Sequence, residues 1–557
     1  LPSRPAASKY LRGDRSYFLA ASGYRPTEPV ETLGTPSPQK TVVLHPGSRV
    51  LRLGLASDTL PHSVPQVIVR YMTHVASKAK ENKEGKEESE EEESSPYAAA
   101  IPAAQNVLAM RQAISHRRPN PQALSLVRSY NNSASPEMIP ELNDPYRIDW
   151  SHLSQGEGGK DQVITGNRAL YVAEGPEEGW VRRWPWSGRG LNLDTYASVA
   201  EALGDLGCIW EQALEASLGI DRKSIKEYSV VLGVNERMDR AHLSRVIDLL
   251  LQDLGFSGIL LAMESVAATF GAGTSSACVL DVGATTTSVA CVEDGLVLPG
   301  TALLLPYGGD DGTRLMAATL QHAGVTPHLG LGLTRPWEWM VVEGLKETLG
   351  TVRETEIGMQ VASATVRTPA GGGAKKWHLK VCDEVMLPML LFFVPEMLHT
   401  CRLGRGVGKG QDRERISGGS LPDPPDKAWS WAVEEAIGRC IRAAGPERAK
   451  RLYGNILCVG GGSLTPGFGQ LLEERLASSP WFSEAVVALE AASTSSTTVA
   501  TPTIRVLSSS REMDPRVLSW KGGSVQARLD CTSEQWCRRE EWIEARERCI
   551  IERSTFL

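Results

Sequence analysis

The chain has 557 residues, 41% of them apolar, and 59 basic against 66 acidic side chains give a formal charge of −7. That length predicts two large lobes, and so small a net charge excludes a globally basic nucleic-acid binder while leaving local basic patches open. No apolar run reaches the ~18 residues a membrane-spanning helix needs. The ten cysteines show neither a CxxC pair nor Cys/His metal spacing, so they are expected to be reduced core residues of an intracellular protein.

Residues 1–40 are rich in Pro, Ser, Arg and Gly without a sustained period and read as a flexible extension. Val42-Val43-Leu44 then leads through Pro46-Gly47-Ser48 into Val50-Leu51-Arg52-Leu53, the pattern of strand, tight turn and strand. The alternation over 64–71 predicts a third strand. Between Lys78 and Glu93 lie eight glutamates and four lysines, a solvated linker that opens a polar, Pro-spotted insertion over 78–165. Trp180, Trp184 and Trp186 stand beside Arg182, Arg183 and Arg189, which predicts a strand entry with arginines stacked on indoles. Helical spacing covers 197–218 and 241–254. Buried strands are expected at Ser229–Val234 and Gly258–Met263, and this β/α alternation implies parallel pairing.

The stretch 277–295 repeats the first hairpin, with two apolar runs around Gly283-Ala284-Thr285-Thr286. Such a turn points N–H groups and hydroxyls at one spot and suits a phosphate. A further strand over 296–305 and a helix over 312–323 make the start of a ribonuclease-H-like unit. A helix over 341–352 carries Lys346-Glu347, residues 366–382 hold a Gly/Lys turn between strands, and 429–443 is helical. Ile456–Val459 reads as a strand running into Gly460-Gly461-Gly462-Ser463-Leu464-Thr465-Pro466-Gly467 and a helix over 468–476. A glycine-rich turn at a helix start lets a nucleotide lie on bare backbone. In the basic insertion 402–426, Gly404-Arg405-Gly406-Val407-Gly408-Lys409 is only superficially a phosphate loop, since Leu403 stands where the first glycine belongs and no Ser or Thr follows Lys409. A strand over 504–507 follows, 520–524 return the chain to the first lobe, and 531–552 are expected to be helical.

The two Gly/Ser-Thr hairpins, the run 460–467 and Ser519-Trp520-Lys521-Gly522-Gly523-Ser524, in this order, resemble the actin superfamily. The resemblance implies an α/β, actin-like ATPase fold: two ribonuclease-H-like lobes around a nucleotide cleft, with long insertions. The first lobe would take 41–271 plus 508–557 and the second 272–507. His45-Pro46-Gly47-Ser48-Arg49, Asp58-Thr59-Leu60-Pro61, Glu264-Ser265-Val266-Ala267 and Met513-Asp514-Pro515-Arg516 are similar to actin-related subunits of nucleosome remodellers of the INO-eighty class. That likeness implies a nuclear, non-filament scaffold that binds ATP. Its partners would be nuclear actin, another actin-related protein and the remodeller motor subunit. It would help engage histones, the nucleosome and extranucleosomal DNA in transcription regulation and DNA repair.

The same resemblance places phosphates on Gly47, Ser48 and Arg52 from one hairpin and Gly283, Thr285 and Thr286 from the other. Adenosine would lie near Lys346, Glu347, Gly461, Gly462, Leu464 and Arg516, and Asp281 would orient the hydration shell of Mg²⁺. The chain departs from actin's pattern at three places: His45 replaces an acidic residue, Ala284-Thr285 replaces an Asp-Gly pair, and Glu264 stands at the water-orienting glutamine. Losing two acidic groups weakens metal placement, so little or no hydrolysis is expected, with Glu264 the candidate to hold a water. The alternative is an active ATP-dependent enzyme of the actin/sugar-kinase superfamily with Glu264 or Asp281 as its catalytic carboxylate.

Overall fold

The computed structural model describes residues 36–72, 123–153, 163–175, 178–333, 335–353, 359–371, 373–382, 385–398, 431–492, 502–508 and 514–554. The acidic run 78–93 and the basic loop 402–426 lie outside these residues.

Two sheets share one strand order. In the first, His62–Pro65, Val50–Leu55 and Thr41–Pro46 are antiparallel neighbours, and Ser229–Val234 and Gly258–Met263 continue in parallel. In the second, Leu296–Val297, Thr287–Glu293 and Ser276–Val282 are antiparallel, and Ile456–Val459 and Val506–Ser508 continue in parallel. Each is a ribonuclease-H-like sheet. Ser229–Val234 and Gly258–Met263 are buried at every position, as strands covered on both faces must be. Val42 and Leu44 point to the core under the helices Val199–Leu218 and Arg240–Asp248, and Val43 points to the opposite face. There the fully buried Trp520 donates its indole N–H to the Val43 carbonyl at 3.1 Å.

The lobes meet where the helices Glu264–Ala272 and Leu518–Gln526 cross. A Cβ on Gly522 would run into the Ala267 carbonyl oxygen, so glycine lets the two backbones touch. The first helix also leans on the second sheet, and the other on the first.

Several expectations are corrected. The strand over 64–71 is two strands in two sheets. The first ladder runs as far as Gln66, whose N–H donates to the Arg49 carbonyl at 2.8 Å, and Ile68–Tyr71 then pairs with Ile164–Thr165 and Trp180–Arg183. The strand over 296–305 is likewise broken at Pro299-Gly300 into Leu296–Val297 and Leu303–Leu305, both paired to Thr287–Glu293. The helix over 241–254 loosens after Asp248 into a π-helical turn, Leu249–Leu254. The segment 531–552 is not continuously helical: Cys537–Arg538 forms an edge strand on the first sheet before the helices Arg539–Ala545 and Glu547–Arg553. That fold-back brings Cys537 to Cys549 in a disulfide, against the expectation that every cysteine is reduced. Cys278, Cys291, Cys382, Cys440 and Cys458 are buried and outside any disulfide. Arg183 stacks on Tyr196, and the guanidinium over Trp184 is that of Arg49, 4.2 Å from the ring centroid, rather than a sequence neighbour's.

Part of the polar insertion is built into the second lobe. The strand Glu137–Ile139 joins the hairpin of Gln360–Arg367 and Ala374–Val381, with Ile139 opposite Ala374. Asn131 exchanges hydrogen bonds with the Lys380 backbone at 3.0 and 2.8 Å, and Arg367 grips Asp144 at 2.7 and 2.8 Å. By Ser151, bridged to Val172, the chain is back against the first lobe.

Candidate functional site

The two opening hairpins end in the same turn. Gly47 N–H donates to the Val50 carbonyl at 3.0 Å, and Gly283 N–H to the Thr286 carbonyl at 3.0 Å. A Cβ at either glycine would lie 2.8 Å from that acceptor oxygen, so both turns exclude any other residue for one steric reason. The turns face each other across the cleft and touch, the Ser48 and Thr285 hydroxyls being 2.7 Å apart.

Around them is a cavity of about 440 Å³, within the range of small-molecule sites, roughly 300–1,000 Å³. Its walls include Gly47, Ser48, Arg52, Glu264, Asp281, Gly283, Thr286, Lys346, Glu347, Gly461, Gly462, Leu464 and Arg516. Of the residues expected at the site, Thr285 alone is off the wall, its hydroxyl turned to Ser48. Lys346 Nζ donates to the Gly309 carbonyl at 3.0 Å and the Thr313 hydroxyl at 2.8 Å. It therefore ties the helix Pro336–Leu349 to the start of the helix Gly309–His322. Arg516 is held by Asp514, whose carboxyl it keeps below the usual range.

Sequence reasoning missed a cross-cleft ion pair. Arg49 Nε reaches the two Asp310 carboxylate oxygens at 3.2 and 3.0 Å while its guanidinium lies on Trp184. Asp310 follows two glycines at a helix start, a position that favours an acidic side chain, and this was the available signal.

The floor is a group of opposed charges. His45 and Arg52 are directly opposite in their ladder. His45 Nε2 is 3.3 Å from Glu264 Oε1, and Asn235 donates to Glu264 Oε2 at 3.1 Å. Burial, reinforced by Glu264, pushes Asp281 up to about 6, while His45 and Arg52 pull the other way. Glu236, also missed, is pushed to about 7 by burial and by Glu264, against hydrogen bonds from Ser265. Burial lowers Arg52 from its ordinary value, opposed chiefly by Asp281.

A triphosphate nucleotide fits these walls. Two glycine turns bring bare backbone to the cavity, Arg52 supplies charge, and His45 lines the wall with its buried Nδ1 unpartnered among the described residues. A divalent cation fits poorly, because Glu264 is already turned to His45 and Asn235, and Arg52 stands beside Asp281 as a competing positive charge. Elsewhere among the described residues, Cys537, Glu541 and Cys549 bring ligand atoms together, but the sulfurs are bonded to each other and Glu541 is engaged by Arg538 N–H and Arg553.

Two like-ordered ribonuclease-H-like lobes, each giving one glycine turn to a shared cleft, define the two-lobed nucleotide-cleft proteins. The family model for actin matches residues 204–556, and the chain belongs to the actin family. It is 30% identical to actin-related protein 8 of Salmo salar over 93% of this chain and 92% of that one. To the probable actin-related protein 8 of Schizosaccharomyces pombe it is 29% identical over 90% and 83%. A solved structure of human actin-related protein Arp8 in its ATP-bound state superposes with a TM-score of 0.75 at 26% identity, covering 95% of this chain and 99% of that one.

Proposed function

We propose that the chain is a non-filament actin-related scaffold that holds ATP in this cleft with little or no hydrolysis. It works in the nucleus within a nucleosome-remodelling complex. Nuclear actin, another actin-related protein and the motor subunit are its neighbours there, and histones and extranucleosomal DNA are what it helps to engage. The observation that carries ATP binding is the contact of the two glycine turns over a cavity lined by both. The ATP in the similar human protein supports it. The contacts of Glu264 with His45 and Asn235 support holding over turnover, since they orient that carboxylate toward the protein's own groups, whereas a general base must be aimed at its water. The complex and its partners rest on likeness to relatives named actin-related protein 8. Three measurements test the reading: equilibrium ATP binding, steady-state phosphate release, and affinity capture from nuclear extract with identification of bound proteins. Micromolar-to-millimolar binding, negligible release and recovery of a remodelling ATPase are expected. Rapid turnover without recovery would replace this reading with the enzyme alternative.

A further inference from the structure

The two hairpins superimpose in sequence with a constant offset: Gly47 corresponds to Gly283, His45 to Asp281 and Arg52 to Ser288. The cross-strand pair flanking the first turn is His45 with Arg52, and the pair flanking the second is Asp281 with Ser288. These pairs face one another at the cleft floor, where His45 and Arg52 both act on Asp281. His45 also takes one oxygen of Glu264 and Asn235 the other. The carboxylates that would draw a divalent cation thus already face Arg52, His45 and Asn235. A metal placed beside Asp281 would be repelled by Arg52, which has no acceptable uncharged form at neutral pH. Resting on the ATP reading above, we propose that this cleft takes the nucleotide triphosphate without a divalent metal, His45 and Arg52 standing where a metal ion would compensate charge.

His45 is the specificity-determining residue of this arrangement. It lines the cavity, with Nε2 turned to Glu264 at 3.3 Å and the buried Nδ1 without a partner among the described residues.

The test is calorimetric titration of the purified full chain with ATP, once in excess EDTA and once in excess MgCl₂. The dissociation constants are expected to agree within about threefold. A loss of about tenfold or more in EDTA overturns the proposal while leaving ATP binding intact, and no binding in either buffer removes the ATP reading itself. The variants H45D and A284D restore acidic groups one hairpin at a time. Each, after a melt confirms that it folds, is expected to bind ATP at least ~tenfold more weakly in EDTA than in MgCl₂. If both variants stay indifferent to the metal, position 45 is not what sets the preference and the proposal fails.

Discussion

The hairpins 41–55 and 276–293 close on the same kind of turn, with the same strand order behind them, yet they bring opposite chemistry to the cleft. One offers a guanidinium and an imidazole side by side, the other a carboxylate beside a hydroxyl. Duplication fixed the backbone, because each turn admits only glycine at its close approach. The side chains next to that glycine were free to diverge, and they did so into complementary charges.

The largest test of this contrast is a pair of truncations. Arg52→Leu is expected to weaken ATP binding by about 2–3 kcal/mol, roughly a hundredfold, and Thr286→Ala by no more than about threefold, both read by calorimetry. Equal losses would mean that the two hairpins contribute alike. Stability should also depend on pH through the acidic side of the floor. The carboxyls of Asp281 and Glu236 sit at about 6 and about 7 in the folded protein against ordinary values of 3.8 and 4.5. The folded state therefore holds these protons more tightly. Their contribution is complete below about pH 4 and disappears as pH rises through about 6 to 7. Thermal melts of the nucleotide-free protein should show stability falling across that interval more steeply than in Asp281→Asn or Glu236→Gln, in which the slope flattens.

A smaller effect is expected at the rim. Arg49→Ala or Asp310→Ala should each lower stability by about 1 kcal/mol and speed nucleotide release a few-fold, and the double variant should cost less than their sum. Urea titrations and stopped-flow release measure the two. The smallest is the hydroxyl contact: Ser48→Ala and Thr285→Ala should each cost about 0.5 kcal/mol by urea titration, with no further loss on combining them.

Local pattern carried much of this into view from the sequence. Ile456–Val459 and Ser229–Val234 are unbroken apolar runs between turn residues, and such strands are legible because burial on both faces leaves no polar position. The two turns were legible for the same reason, glycine and hydroxyl residues between apolar runs. What escaped depends on distance in the chain. Glu236 and Asp310 acquire their roles from Ser265 and Arg49, partners far away in sequence. Alternation over 64–71 hid a change of sheet after Gln66, because both halves keep the same period. The Cys537–Cys549 link is invisible to spacing rules, since only the fold-back of an edge strand onto a following helix brings the two together.

The strand Glu137–Ile139 leaves one lobe and pairs in the other, with Asp144 clasped by Arg367 before Ser151 returns. Such a segment acts on the molecule as a door chain acts on a door. The jaws can part only as far as the span from Asp144 to Ser151 stretches, and any wider gape has to peel a hydrogen-bonded ribbon off its neighbour. Severing that span should let the empty protein yawn, while a closed, loaded one would barely register the cut.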